Sequence, residues 1–483
     1  MSYKFSQLLL FLVLLIVLTG CIEKEESNTF FLRINAPSFN ESLVEIVSVN
    51  VLNYEETLLE SIILDSIGNG SVQFSRTKPG FGSIKIGDNY FRIYLEAGFD
   101  LKATVITNSE TPFIKYSGKG SKPNNYLSGT NSILKKFHDK HPTWFQKEPA
   151  NVSLLLDSLH NSLESFHLGY LDTVDLNNTT REIFEESIEM KLINLKQQHR
   201  LINNAAYKIE NVPSSLNNTS KEISFKAKYL DLAMVEYAQV LDLFLRLEIQ
   251  DPIYEGIEAE ELDSLKEIFP MLTNKLIKGH DFPLDIQEFL IAKDLSYWLA
   301  SEGISSGLDS VYNDFKKDFV NSIYNDELEV KYTEWLRIAR GQPAPEITGV
   351  TIENDTLSLS KLKGKVVFID VWATWCGPCL AGFPFYNNIQ KEFEGSDEVE
   401  FLFVSVDGDH EKWVNFIKEE TIPMGTQIHE FPETVHPPIQ ESYKMWGVPR
   451  YILIDREGMI YDAKAPRPSS GKVVNLIKEL IDK

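Results

Sequence analysis

Asp370-Val371-Trp372-Ala373-Thr374-Trp375-Cys376-Gly377-Pro378-Cys379 decides the fold of the C-terminal part of this chain. An apolar run, Val366 to Val371, leads into it, and two cysteines with two residues between them close it. The run reads as a buried strand and the segment after Cys376 as the start of a helix. That junction places Cys376 at a helix N-terminus, where free backbone N–H groups and the helix dipole favour a thiolate. Cys379 lies one turn further in, more buried and near enough to close a disulfide. Gly377-Pro378 fits a first helical turn, where a missing N–H costs nothing. A zinc knuckle would use the same spacing, but zinc takes four ligands and no second pair exists. Neither metal nor organic cofactor is expected.

Outward from this stretch the pattern stays strand–helix–strand. Phe401 to Val406 reads as a second buried strand and Arg450 to Asp455 as a third, and Lys472 to Ile481 closes the chain as an amphipathic helix. Such alternation predicts an α/β layer domain over 341–483, entered through the linker Gly341-Gln342-Pro343-Ala344-Pro345. Residues 122–338 show apolar spacing of three and four with little glycine or proline, and predict an all-α region. Residues 29–117 carry period-two runs such as Phe31-Leu32-Arg33-Ile34 and Phe91-Arg92-Ile93-Tyr94-Leu95, punctuated by Gly68-Asn69-Gly70 and Pro79-Gly80. These predict an antiparallel β domain, with Ser117-Gly118-Lys119-Gly120-Ser121 as the break after it. The expected architecture is multidomain: β, then α, then α/β.

Lys and Arg total 47 against 70 Asp and Glu, a net charge of −23. So acidic a chain, with no basic stripe, is repelled by nucleic acid, which is excluded as a partner. At the N-terminus Lys4 precedes an apolar run from Leu8 to Leu18. Eleven residues rise only about 16 Å as a helix, too short for a hydrocarbon core of about 30 Å. Residues 1–20 therefore read as an export signal. The run ends in Leu18-Thr19-Gly20-Cys21, which resembles the bacterial lipobox and implies a lipid on Cys21, with residues 21–28 as a polar tether. With Cys21 so assigned, Cys376 and Cys379 are the two cysteines left of three. A large exported chain without cysteines for structural bridges uses its one pair for chemistry.

Trp-Cys-Gly-Pro-Cys is the thioredoxin active-site sequence, and the resemblance runs further. Pro384 matches the proline that kinks the active-site helix, and Gly447-Val448-Pro449-Arg450-Tyr451-Ile452-Leu453-Ile454-Asp455 matches the segment that carries the family's cis-proline. With Gln342-Pro343-Ala344-Pro345 and Leu359-Ser360-Lys361-Leu362, the region from Gly341 resembles the TlpA/ResA-type thioredoxin-like oxidoreductases. The first hundred residues after Cys21 resemble the β domain that precedes such domains in Bacteroidota lipoproteins.

The resemblance implies a cis Pro449 beside the disulfide, with the Val448 backbone pairing a substrate strand. Trp375, Gly377 and Pro378 would complete the substrate-binding surface. Asp370 interrupts an otherwise apolar strand six residues before Cys376 and matches the family's buried acid. Desolvation would raise its pKa and suit it to take the proton of Cys379. The basic residue and the acid that often follow the second cysteine are replaced here by Leu380 and Gly382. Arg450 stands where threonine is common. It reads either as a cation that tunes the cysteine pair or as a solvated surface residue, and is not counted as catalytic.

The function these readings imply is a membrane-anchored protein-disulfide reductase of exported proteins, fed by a membrane thiol reductase. Its place is the cell envelope, at the outer membrane facing the periplasm or at the cell surface. An oxidase or isomerase on the same scaffold is the first alternative. A surface binding protein with secondary redox activity is another.

Overall fold

The computed structural model describes residues 28–107, 112–203, 216, 219–255, 262–420, 422–430 and 438–482. The expected export signal, residues 1–20, and the expected lipidated Cys21 lie outside them. The chain divides into two compact units, residues 1–248 and 249–483.

In the first unit, the described strands are β1 (Thr29–Asn35), β2 (Leu43–Val49), β3 (Glu56–Ile63), β4 (Asn69–Ser75), β5 (Gly80–Ile86), β6 (Asn89–Leu95), β7 (Asp100–Ile106) and β8 (Phe113–Lys119). They form two four-stranded sheets, ordered β4-β1-β7-β8 and β3-β2-β5-β6. Alternate residues point inward, as the period-two runs require: Leu32 and Ile34 of β1 share one core with Val44 and Ile46 of β2 and with Leu101 and Ala103 of β7. One pairing departs from the antiparallel expectation, because β1 and β7 run parallel. No hairpin can join parallel neighbours, and the chain between these two builds the whole second sheet before it returns.

The break expected at Ser117–Ser121 falls inside β8, which runs on to Lys119. Gly118 permits this at φ +90°, since a Cβ there would lie 2.3 Å from the Asp100 carbonyl oxygen. Helix α1 (Ser121–Lys140) follows at once. Its Asn124 exchanges hydrogen bonds with the Tyr94 backbone of β6, at 2.7 and 3.0 Å, and Asn125 does the same with Tyr116 of β8, at 2.7 and 2.8 Å. Two adjacent amides thereby tie one helix to both sheets. A buried cluster supports the helices behind them: Arg92 pairs with Glu236 at 2.7 Å, and Ser187 donates to the same carboxylate.

The helical region is not one body. Helices Pro149–Leu171, Asn178–Ile202 and Val235–Phe244 belong to the first unit. Leu262–Gly279, α2 (Leu284–Ser301), Ser306–Asp318 and Asn325–Leu336 belong to the second. Among the described residues no helix is long and apolar enough to cross a membrane.

The second unit carries a seven-stranded sheet made of β9 (Thr348–Val350), β10 (Thr356–Ser358), β11 (Val366–Trp372), β12 (Val399–Ser405), β13 (Thr426–Glu430), β14 (Arg450–Ile454) and β15 (Ile460–Asp462). Their order is β10-β9-β13-β12-β11-β14-β15. Strand β11 is parallel to β12 and antiparallel to β14, and all seven of its residues are buried. A central strand covered on both faces reads in sequence as an unbroken apolar run. The same burial makes Asp370 a carboxylate inside a core. The proline-rich entry is pinned to the sheet: Gly341 N–H donates to Ile460 at 2.7 Å, and Ile460 N–H donates back to Gln342 at 2.8 Å.

Candidate active site

The β11 strand delivers its chain end to the loop Ala373–Trp375, and helix α3 (Gly377–Gly382) begins directly after Cys376. Cys376 is the N-cap residue of that helix. Its Sγ accepts the Cys379 N–H at 3.2 Å, a hydrogen bond that favours negative charge on this sulfur. The two cysteines are joined as a disulfide with Cα atoms 5.3 Å apart. Cys379 is fully buried, Cys376 is 4% exposed, and Trp375 beside it is 69% exposed at the rim. The helix breaks at Phe383–Phe385, around Pro384, and resumes as α4 (Tyr386–Lys391). The Val448–Pro449 peptide is cis, and Pro378 and Pro449 line one cleft. Trp372 is fully buried, its ring 5.1 Å from that of Phe383.

Asp370 is 1% exposed. Burial pushes its carboxyl up to about 7, against the partial relief of a 2.8 Å hydrogen bond donated by the Tyr386 hydroxyl to Oδ2. The other oxygen, Oδ1, has no hydrogen-bond partner among the described residues. Tyr386 belongs to the same core cluster as Cys376, Cys379 and Phe383, so the acid is tied through this ring to the core on which the cysteine helix packs. Sequence reading missed Tyr386. Its signal was a lone aromatic hydroxyl just past the helix-breaking proline.

Asp407 was missed as well. It follows β12 and is 5% exposed. Its carboxylate accepts the Thr374 N–H at 3.0 Å, the Thr374 hydroxyl at 2.7 Å and the Ser405 hydroxyl at 2.7 Å. The loop two residues before Cys376 is thus held by one buried anion, itself placed by the 2.8 Å contact of His429 Nε2 with the Asp407 carbonyl oxygen. Replacing Asp407 by alanine strands the Thr374 donors, and a loss of about 2–4 kcal/mol in unfolding free energy is expected. Asn, which keeps an acceptor, should recover part of it. Equal denaturant midpoints for wild type and alanine variant would contradict this bracing role.

Arg450 departs from the solvated-surface reading. It is 6% exposed, because β14 lies beside the central strand and its first residue is enclosed there. It lines a cleft of about 1210 Å³ beside the disulfide, together with Pro378, Pro449 and residues of the helical segment such as Tyr254, Tyr297 and Glu302. The helical segment of this unit therefore forms a wall of the site. Its α2 end is fixed there by the Lys464–Glu302 ion pair and by Trp446 Nε1, which donates to the Ala300 carbonyl.

Residues 339–477 match the family model described as Redoxin. The thiol-disulfide oxidoreductase ResA of Bacillus subtilis is 32% identical over 125 residues, 26% of this chain and 65% of that protein. ResA of Bacillus cereus is 26% identical over 122 residues, 25% of this chain and 67% of that protein. The solved thioredoxin domain of a thiol-disulfide oxidoreductase from Bacteroides vulgatus is 30% identical and covers 29% of this chain and 96% of its own, with a TM-score of 0.27. Through this domain the chain belongs to the TlpA/ResA-type thioredoxin-like thiol–disulfide oxidoreductases. The family assignment covers the C-terminal part alone. At Gly382 a Cβ would lie 3.3 Å from the Tyr451 hydroxyl, so that hydroxyl lies close against the cysteine helix.

Proposed function

We propose that this oxidoreductase is a lipid-anchored reductase of disulfides in exported proteins, and that Cys376, Cys379 and Asp370 carry the reaction. In the reduced protein the Cys376 thiolate attacks one sulfur of a substrate disulfide. A Cys376–substrate bond forms, and the other substrate sulfur leaves as thiolate. Cys379 then attacks the Cys376 sulfur, its proton passes to Asp370, and the second substrate sulfur departs. Two electrons have moved from the protein dithiol to the substrate, and the Cys376–Cys379 disulfide remains. A membrane thiol reductase, as dithiol donor, restores the pair.

The observation that carries this reading is a carboxyl held near 7 and buried on the strand that leads into the cysteine pair. A base of that pKa is half ionised at neutral pH, where a proton acceptor for a thiol must work. Trp375, Gly377, Pro378, the Val448 backbone and Pro449 form the substrate face. The Leu-Thr-Gly-Cys sequence ending at Cys21 supports the anchor, and the envelope is the compartment it implies.

The reduction potential of the Cys376–Cys379 pair tests the direction. A value near about −270 mV, in dithiothreitol or glutathione buffers, is expected of a reductase. A value near about −120 mV would reverse the reading and make the protein a disulfide donor.

A further inference from the structure

Arg450 is enclosed, and among the described residues no counter-ion touches it. Its Nη1 is buried with no hydrogen-bond partner among the described residues, and no described carboxylate lies within 4.0 Å of it. The carboxylates that act on it are Glu302 and Asp462. Both are engaged elsewhere: Glu302 pairs with Lys464, and Asp462 accepts the Lys464 backbone N–H at 2.8 Å. An enclosed guanidinium without a partner is costly, and a ligand that supplies one relieves that cost. Arg450 follows the cis Pro449 directly, and it lines the cleft that runs beside Pro378.

Resting on the reductase reading above, we propose that Arg450 binds a carboxylate of the substrate polypeptide, an Asp or Glu side chain within a residue or two of the cysteine under attack. The planar guanidinium fork matches a carboxylate in a way that an ammonium does not. A volume of about 1210 Å³ is far more than one small anion fills, and suits a stretch of peptide. Tyr254, Tyr297 and Phe385 are each exposed by 42% or more along this cleft, and offer flat apolar faces to the side chains that flank the acid. Of the other cations lining the cleft, Lys464 pairs with Glu302, while Arg467 and Lys472 are exposed and face the carboxylates Asp462 and Glu479 across it. With Arg450 counted, the lining carries one positive charge more than negative. The net charge of −23 would by itself repel an acidic peptide, so a preference for one reports the local site.

The test uses the full chain in its reduced form and three disulfide-bearing peptides that differ in one residue beside the cysteine: Glu, Gln or Lys. Single-turnover reduction rates are expected to fall in that order, with about tenfold or more between Glu and Gln. In Arg450→Met the Glu-to-Gln ratio should drop to within about twofold, whatever the absolute rates. A wild-type ratio near one, or a ratio that survives in Arg450→Met, would overturn the proposal. Should that variant not fold, a peptide with its Glu moved four positions along localises the contact in the wild type. Loss of the preference is the expected result, and an undiminished preference overturns it. Turnover of all three peptides at one rate defeats this inference and leaves the reductase reading standing. No reduction of any of them defeats both.

Discussion

Cys379→Ser is expected to stop the reaction at its mixed disulfide and to leave the substrate bonded to Cys376. The argument rests on the asymmetry of the pair. Cys376 is the less buried sulfur, caps the helix and accepts the Cys379 N–H, so it is the one that a substrate can meet as a thiolate. Cys379 is enclosed and is bonded to the Cys376 sulfur. A serine there keeps the helix and removes the resolving step. Turnover should fall by at least about a thousandfold, and a covalent adduct should appear on non-reducing gels and vanish with dithiothreitol. Cys376→Ser should lose as much activity but form no adduct. Adducts that accumulate on Cys376→Ser and not on Cys379→Ser would invert the two roles.

How much of this site was legible in the sequence depends on what each residue leaves in the chain around it. The cysteine pair and Asp370 were legible because they break patterns: two cysteines at a strand–helix junction, and one charge in a strand whose seven residues are all buried. The sandwich strands β1, β2, β5 and β6 were legible through period-two alternation. β3 was not, since none of its eight residues is fully buried and an edge strand that faces water leaves no apolar rhythm. Tyr386 and Asp407 act through contacts with residues 16 and 33 positions away, and such pairings carry no local signal. Arg450 was left between two readings for a related reason. A charged residue at a strand end reads as solvated, and its enclosure follows from how β14 pairs with β11 and from the cleft it lines. The division of the helical region at residue 248 also escaped, because helical periodicity reports which face is buried and not which body covers it.

Asp370→Asn should slow resolution of the mixed disulfide by about a hundredfold at pH 7 while leaving the first attack by Cys376 nearly intact. With its carboxyl at about 7, the wild-type acid gains its accepting form between pH 6 and 8, so the resolution rate should climb through that window and then level. The variant lacks this base and should rise only as the Cys379 thiol itself ionises, ordinarily near about 8.5. The two profiles therefore converge by about pH 9. A rate unchanged by the substitution across pH 6 to 9 would remove Asp370 from the mechanism. Stability moves the opposite way. The folded carboxyl lies above its ordinary value of 3.8, so between 3.8 and about 7 the native state holds a proton that the unfolded chain has lost. Stability contributed by this group is then complete below 3.8 and declines as pH rises towards 7. Asparagine stays neutral and can still accept the Tyr386 hydroxyl, so the variant should match the wild type near pH 4 and exceed it at pH 8, by at most about 4 kcal/mol. Tyr386→Phe separates the two effects. Without the donated hydrogen bond the Asp370 carboxyl should rise further, and the pH profile of resolution should shift upward while the base itself remains. A buried acid that costs stability at the pH where it speeds a proton transfer is what a catalytic group in a core should show, and a purely structural aspartate would lower both when removed.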